Sequence, residues 1–259
     1  MKSWEIDVMM LRSELIFREY AERTQDIYIK TVEDFLNSTD KESCNIQRED
    51  VIRYLDRRLK EDSNNTVLVK LSALEFFFEE VLGLDITENI RKFKKLKREY
   101  KQDLVGLQDI DILLSSIPTR DRIILKTILE TGEYPKHMHK WTISDLHSKE
   151  DGWYLKEHKL TKEFTKELLA YIEKFEITNY LFYGNKDFID YTNIYLLLRK
   201  YTEMYLGRRV TVGELKHAIA LELWKQGKVE EIKKYLGNQS LASIRQWYKM
   251  RGIILEGIR

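Results

Sequence analysis

The side chains of this chain that could do chemistry lie mainly in its C-terminal part. Tyr248 offers a phenol, Lys216 an amine and His217 an imidazole. A phenol has a pKa near 10 and attacks an ester only when a neighbouring group activates it. Lys216 carries one positive charge, which is enough to hold a phosphate in place. No glycine-rich phosphate loop, hydrolase elbow or metalloprotease motif accompanies these residues.

Three further histidines and the single cysteine indicate no metal site. His137, His139 and His147 fall close together, but their spacing matches no standard zinc set. Cys44 is the only cysteine, which excludes a disulfide framework and fits a reducing compartment. We expect no metal, no cofactor and no small-molecule substrate. His217 lies in a stretch rich in Ala and Ile, so we expect it to be partly buried and hydrogen-bonded.

The composition indicates a soluble, mostly helical protein. The 259 residues suffice for one large or two modest domains. Hydrophobic residues make up 43% and charged residues 34%, and 11 Gly with 2 Pro leave few chain breaks. No apolar run approaches the roughly 18 residues that span a bilayer, and the N-terminus lacks a signal-peptide pattern. We therefore expect no membrane association and a cytoplasmic location.

The net charge of +1 is unevenly distributed. Residues 1–90 hold 12 basic and 20 acidic groups, a net of −8, whereas residues 91–101 hold seven basic groups and Glu99. A charge run of this kind is usually a solvated linker or helix face. The alternative is a strap that binds phosphates. Its cations are Arg91, Lys92, Lys94, Lys95, Lys97, Arg98 and Lys101.

Apolar residues at helical spacing predict four helices in the N-terminal third. The first covers residues 7–20, and Thr24 is a candidate N-cap for the second. Asp50 begins the third, residues 64–66 form a turn and cap, and the fourth ends at Gly83. Four helices with short connections imply a compact bundle.

The C-terminal half carries a series of motifs in a characteristic order. They are Asn179-Tyr180-Leu181-Phe182, Arg208-Arg209-Val210-Thr211, Leu215-Lys216-His217-Ala218-Ile219-Ala220, a break at Gln226-Gly227, Leu236-Gly237-Asn238, and Trp247-Tyr248. This order resembles the tyrosine recombinase family, also called the phage integrase or Xer-like family. The segments before Gly83 are similar to that family's core-binding domain.

The resemblance implies a mainly α fold in two domains. We expect a helical core-binding (SAM-like) bundle at 1–90, a basic interdomain linker at 91–101 that crosses the DNA backbone, and a recombinase-like domain at 102–259. That second domain should be mixed but mostly helical, with a small β-sheet. Gly152 to Lys156 is predicted to be one of its strands, in a hairpin that is shorter than the hairpin of the family.

The family's catalytic positions are mostly changed in this chain. Tyr134 stands where the resemblance places the first Arg, and Lys216 where it places the second. Gly213 replaces a His, and Asn238 replaces the last His. His137 stands where an acidic residue is expected. Tyr248 is the candidate nucleophile, although the shorter family spacing would place Trp247 there, and Lys156 or Lys159 could match the hairpin Lys.

We therefore expect a protein that binds double-stranded DNA and does not cleave it, nucleoid-associated when bound. One alternative is a divergent active recombinase that uses Tyr248, Lys216 and Lys156. Another is a helical regulator that assembles with an active recombinase, and a homo-oligomer is also left open. The predicted DNA contacts are the seven cations of 91–101 together with Arg208, Arg209, Lys216, His217 and Arg245.

Overall fold

A computed structural model of the chain describes residues 4–39, 41–94, 96–100, 104–184, 187–237 and 240–255. The chain divides into two compact units, Met1–Tyr100 and Lys101–Arg259. Both are mostly helical, and the second contains a small antiparallel sheet, so the predicted fold class is confirmed. None of the described helices is both long and apolar enough to cross a membrane.

The N-terminal unit is a bundle of four helices and a fifth short one. They are α1 (Glu5–Phe17), α2 (Glu22–Ser38), α3 (Arg48–Glu61), α4 (Asn64–Glu75) and α5 (Ile90–Phe93). The last turns of the fourth helix are π-helical, at Phe76–Val81. Aromatic rings fill its centre, where Phe35 packs edge-on against Tyr54 and Phe78. The buried apolar faces of the helices supply the main stabilisation of this bundle.

Helix α1 covers Glu5–Phe17 rather than the predicted 7–20, and three further predicted helix starts differ from the structure. Helix α2 begins before Thr24, whose N–H donates to the carbonyl of Ala21. Helix α3 begins at Arg48. The carboxylate of Asp50, in its first turn, accepts a hydrogen bond from the backbone N–H of Gln47. Ser63, rather than 64–66, caps α4. Helix α2 begins after Ala21 without a side-chain cap, and polar neighbours compete for the caps of α3 and α4. The sequence pattern therefore locates a helix start only to within a few residues.

The C-terminal unit is built around two helices, α7 and α11, that are far apart in the sequence and packed against each other. Its elements are α6 (Leu107–Ser116), α7 (Thr119–Thr131), α8 (Pro135–Met138), β1 (Leu146–Lys149), β2 (Gly152–Leu155), β3 (His158–Lys159), α9 (Lys162–Lys174), α10 (Tyr191–Leu206), α11 (Val212–Lys225), α12 (Val229–Tyr235) and α13 (Leu241–Lys249). Helices α7 and α11 are in contact, and each carries more buried residues than any other described helix of this unit.

The sheet is a short meander in the order β1-β2-β3. Leu146 pairs with Leu155, and Leu155 pairs with His158. The last strand, β3, has only two residues. The predicted strand at 152–156 is β2. Lys156 makes the turn with a positive φ of 53°.

Two glycines end helices in the left-handed conformation that favours glycine. Gly132 ends α7 with φ of 70°, and Gly207 ends α10 with φ of 66°. A Cβ on Gly132 would lie 2.4 Å from the carbonyl oxygen of Tyr235. A Cβ on Gly207 would meet nothing within 4 Å. Gly132 is therefore required by its backbone angle and by the packing of α12, whereas Gly207 is required by its backbone angle alone.

Candidate functional site

The Tyr248 hydroxyl is buried and already hydrogen-bonded. Helix α13 is capped by Ser240 and turns Ile244 and Tyr248 inward, and Tyr248 is 1% exposed. Its hydroxyl donates to the backbone carbonyl oxygen of His217 at 2.5 Å. Burial raises the pKa of this phenol well above its ordinary value. In this arrangement Tyr248 is a core residue that holds α13 against α11.

Trp247 covers the His217 ring. The two rings are stacked with centroids 3.4 Å apart and planes 8° from parallel, and the guanidinium of Arg251 lies 3.6 Å from the Trp247 ring centroid. Burial, followed by the positive charges of Arg251 and Lys216, lowers the pKa of His217 to about 4. Within the described residues its Nδ1 atom has no hydrogen-bond partner. His217 is thus buried, as expected from the sequence, but as a neutral ring held by stacking.

Lys216 and Tyr134 face each other. Lys216 is 3% exposed, and its Nζ lies 4.2 Å from the centroid of the Tyr134 ring. Burial lowers the pKa of Lys216, while the carboxylate of Glu133 raises it. The residues at the two positions where the resemblance places arginines therefore form a cation–π pair between the end of α7 and the middle of α11.

Acidic and imidazole groups gather beside this pair. Glu133 Oε2 lies 2.9 Å from His137 Nδ1, and Glu133 Oε1 lies 3.5 Å from His158 Nε2. Glu157 Oε1 is also 3.5 Å from His158 Nε2. Burial lowers the pKa of His158, the two carboxylates raise it, and Lys234 and Lys216 lower it further. We call Glu133, Glu157 and His158 the hairpin cluster.

The lysines of the hairpin are engaged with nearby carboxylates. Lys156 Nζ lies 3.5 Å from Asp145 Oδ1, and Lys159 Nζ donates to Asp151 at 2.7 Å. Gly213 lies in the first turn of α11, where an added Cβ would meet only the Thr211 side chain, at 3.8 Å. There is room at Gly213 for a Cβ atom.

The predicted DNA-binding residues fall into four groups. Those already engaged with neighbours are Lys94 with Asp56 at 2.7 Å, Arg208 with Glu214 at 3.7 Å, Arg209 with Glu203, and Arg245 5.5 Å from the Trp224 ring centroid. Those with exposed side chains are Arg91, Lys92, Lys97 and Arg98. Lys216 and His217 are buried and therefore do not lie on the surface. Lys95 and Lys101 lie outside the described residues, as does Asn238.

The basic segment is attached to the N-terminal bundle. Leu96 is buried in the bundle core. Asn65 of α4 donates to the Glu99 carbonyl at 2.7 Å and accepts from the Glu99 N–H at 3.0 Å. This reciprocal pair fixes the backbone between Leu96 and Tyr100 so that Lys97 and Arg98 stay on the surface.

Sequence reasoning missed the hairpin cluster and Arg251. Glu133 and His158 are far apart in the sequence, and no spacing pattern relates them. Arg251 follows α13 and carries no motif. The only signal in the sequence was that an acidic residue immediately precedes Tyr134.

Comparison with known proteins agrees with this fold. Residues 9–88 match the family model of the phage integrase N-terminal SAM-like domain. The structure is similar to that of a lambda integrase dimer bound to a COC′ core site, with a TM-score of 0.74 and 14% identity over 98% of this chain and 79% of that chain. No curated protein sequence matches the chain significantly.

Two further solved structures share the fold. The Tn1549 transposon integrase in complex with transposon right end DNA has a TM-score of 0.69 and 11% identity, over 93% of this chain and 94% of that chain. The XerH recombinase bound to a palindromic difH substrate has a TM-score of 0.68 and 16% identity, over 88% of this chain and 76% of that chain. The chain therefore has the tyrosine recombinase fold. Its N-terminal unit carries a phage integrase SAM-like domain.

Proposed function

We propose that this protein binds double-stranded DNA through the recombinase fold and does not cleave it. The observation that carries the proposal is the hydrogen bond from Tyr248 Oη to the His217 carbonyl. A hydroxyl buried in this way cannot reach a phosphodiester unless α13 leaves its place against α11. The buried phenol also resists losing its proton.

The groups that would stabilise a phosphoryl-transfer transition state support the same conclusion. Arginine donates two parallel hydrogen bonds to a phosphate, which neither a tyrosine nor a lysine reproduces. At the corresponding positions Tyr134 and Lys216 bind each other. Loss of one transition-state donor costs about 10²- to 10³-fold in rate. Such losses are not additive, but neither of these two positions retains a planar guanidinium donor.

DNA binding is supported by the fold and by the surface of the N-terminal unit. The similar structures of lambda integrase, Tn1549 integrase and XerH contain DNA, as their descriptions state. In this chain Arg91, Lys92, Lys97 and Arg98 are exposed. Phosphate contacts made by such side chains supply most of the affinity for DNA of any sequence.

Two measurements on one sample test the proposal. Nicked duplexes of randomised sequence, which trap a covalent adduct once a short strand is released, are incubated with the protein. Binding is followed by fluorescence anisotropy at low salt, and adducts by denaturing gel. Lambda integrase on its own core site serves as the positive control for trapping. We expect salt-sensitive binding and no adduct.

Each half of the proposal has its own contradicting result. An adduct that Tyr248→Phe abolishes would overturn the loss of cleavage and favour a divergent active recombinase. Absence of binding at low salt would overturn the DNA-binding role and favour a regulator that acts through protein contacts.

A further inference from the structure

The hairpin cluster brings three metal-ligating groups together. One ligand atom from each of Glu133, Glu157 and His158 lies within 4.8 Å of the others. His158 is half-buried, and its ring lies 6.0 Å from that of Trp141. Glu157 is exposed, and Glu133 is partly buried. The imidazole thus forms the inner side of the cluster, and Glu157 forms its solvent side.

The two distances from His158 Nε2 fit a shared cation better than hydrogen bonds. His158 Nε2 lies 3.5 Å from a carboxylate oxygen on each side, and within the described residues this buried atom has no hydrogen-bond partner. A hydrogen bond from a ring nitrogen would be about 2.7–3.2 Å long. Ligands at about 2.0–2.1 Å from a tetrahedral ion are roughly 3.3–3.4 Å apart, which is close to the observed separation.

The backbone fixes two of the three ligands. His158 begins β3 and pairs with Leu155, so its position is set by the sheet. Glu133 follows the left-handed Gly132, and its N–H donates to Thr131 Oγ1 at 3.2 Å. His137 Nδ1 contacts Glu133 Oε2, which leaves Oε1 directed at His158. Such an outer partner orients a ligating carboxylate.

The charge balance permits a cation here. Two carboxylates supply a charge of −2 against a divalent ion, and the half-buried imidazole is a neutral ligand. Two ammonium groups oppose it, those of Lys216, whose Nζ lies 4.2 Å from the Tyr134 ring centroid, and of Lys234, which lines the same cleft as His158. The two carboxylates balance these two charges, and each lies 3.5 Å from His158 Nε2.

We propose that Glu133, Glu157 and His158 bind one divalent transition-metal ion of the zinc class. Imidazole and carboxylate ligands suit such an ion. Three protein ligands leave one tetrahedral position for water on the side of the exposed Glu157. The ion would tie the β2–β3 turn to the end of α7. The inference goes beyond DNA binding and does not depend on it.

The test is a Zn²⁺ titration of untagged, metal-free protein by calorimetry, with Co²⁺ absorption to report tetrahedral coordination. We expect one ion per chain. Glu157→Gln alters an exposed side chain and leaves the fold intact, and it should abolish saturable binding, as should His158→Gln. His137→Ala removes the outer partner and should weaken binding by about 10- to 100-fold.

His147→Gln is the matched control, because His147 lies on the neighbouring strand β1 outside the cluster. It should bind Zn²⁺ like the unchanged protein. The proposal is overturned if the unchanged protein binds no Zn²⁺ saturably, or if Glu157→Gln and His158→Gln bind it unchanged. It is equally overturned if His147→Gln loses binding to the same extent. Circular dichroism of each variant confirms the fold.

Discussion

The hydroxyl of Tyr248 and the carbonyl oxygen of His217 lie 2.5 Å apart, joining residues 31 positions apart in the sequence. This bond places α13 on α11 and buries the only phenol that the family resemblance offers as a nucleophile. The access of this phenol to a phosphodiester therefore depends on the stability of one helix–helix contact.

We expect Tyr248→Phe to reduce the free energy of unfolding by about 1 kcal/mol, because it removes one buried hydrogen bond and leaves the packing intact. The measurement is the urea concentration at the midpoint of unfolding, with the m value unchanged between the two proteins. Tyr205→Phe is the control, since Tyr205 is 38% exposed, and it should change little. Equal midpoints for Tyr248→Phe and the unchanged protein would show that the bond does not stabilise α13. DNA affinity should be the same in both.

The buried His217 predicts a dependence of stability on pH. Its pKa is about 4 in the folded protein, against about 6.5 unfolded. Because the unfolded state binds the proton more tightly, stability is complete above pH 6.5 and falls as the pH drops towards 4. The loss contributed by this ring should be on the order of 2–3 kcal/mol.

Urea midpoints from pH 7 to pH 4.5 test this dependence. His217→Phe can still stack on Trp247 but has no titrating group, so its stability should fall less than that of the unchanged protein over this range. The control variant His147→Gln, altered on strand β1, should lose as much stability over this pH range as the unchanged protein. Parallel curves for His217→Phe and the unchanged protein would contradict the assignment to His217.

Two glycines with similar backbone angles predict different costs of substitution. Gly207→Ala should cost about 1 kcal/mol, because only the left-handed conformation opposes it. Gly132→Ala should cost about 3 kcal/mol, since its Cβ would also press on the Tyr235 carbonyl. Thermal or urea unfolding of the two variants measures the difference. Equal costs would mean that α12 shifts freely to accept the methyl group.

The basic segment predicts the salt dependence of DNA binding. Each phosphate contact contributes a slope of about −0.9 in log K against log salt. Replacing Arg91, Lys92, Lys97 and Arg98 by Ala should flatten the slope by a few units for every sequence tested. Lys94→Ala is the control, because Lys94 is bonded to Asp56, and it should change the slope less. An unchanged slope in the fourfold variant would show that this surface does not contact DNA.

The sequence alone was sufficient for the elements whose signals are local. Apolar periodicity located the four N-terminal helices, and Gln226-Gly227 ended α11. The order of short motifs indicated the recombinase fold. Helix starts were less well predicted, because α2 begins after Ala21 without a side-chain cap and Ser63 caps α4 in place of its polar neighbours.

Only the tertiary structure decided what the candidate site residues do. The sequence shows that Lys216 is a cation and Tyr248 a phenol. Residues of either type occur on the surface, in the core and in functional sites, so the residue type alone does not decide the location. The contact of α7 with α11 places Lys216 on the Tyr134 ring, and α13 places Tyr248 under the His217 carbonyl. Glu133 and His158 meet only because the hairpin folds onto the end of α7. Burial and proximity between distant segments set charge, pKa and accessibility, and these depend on packing that no local pattern encodes.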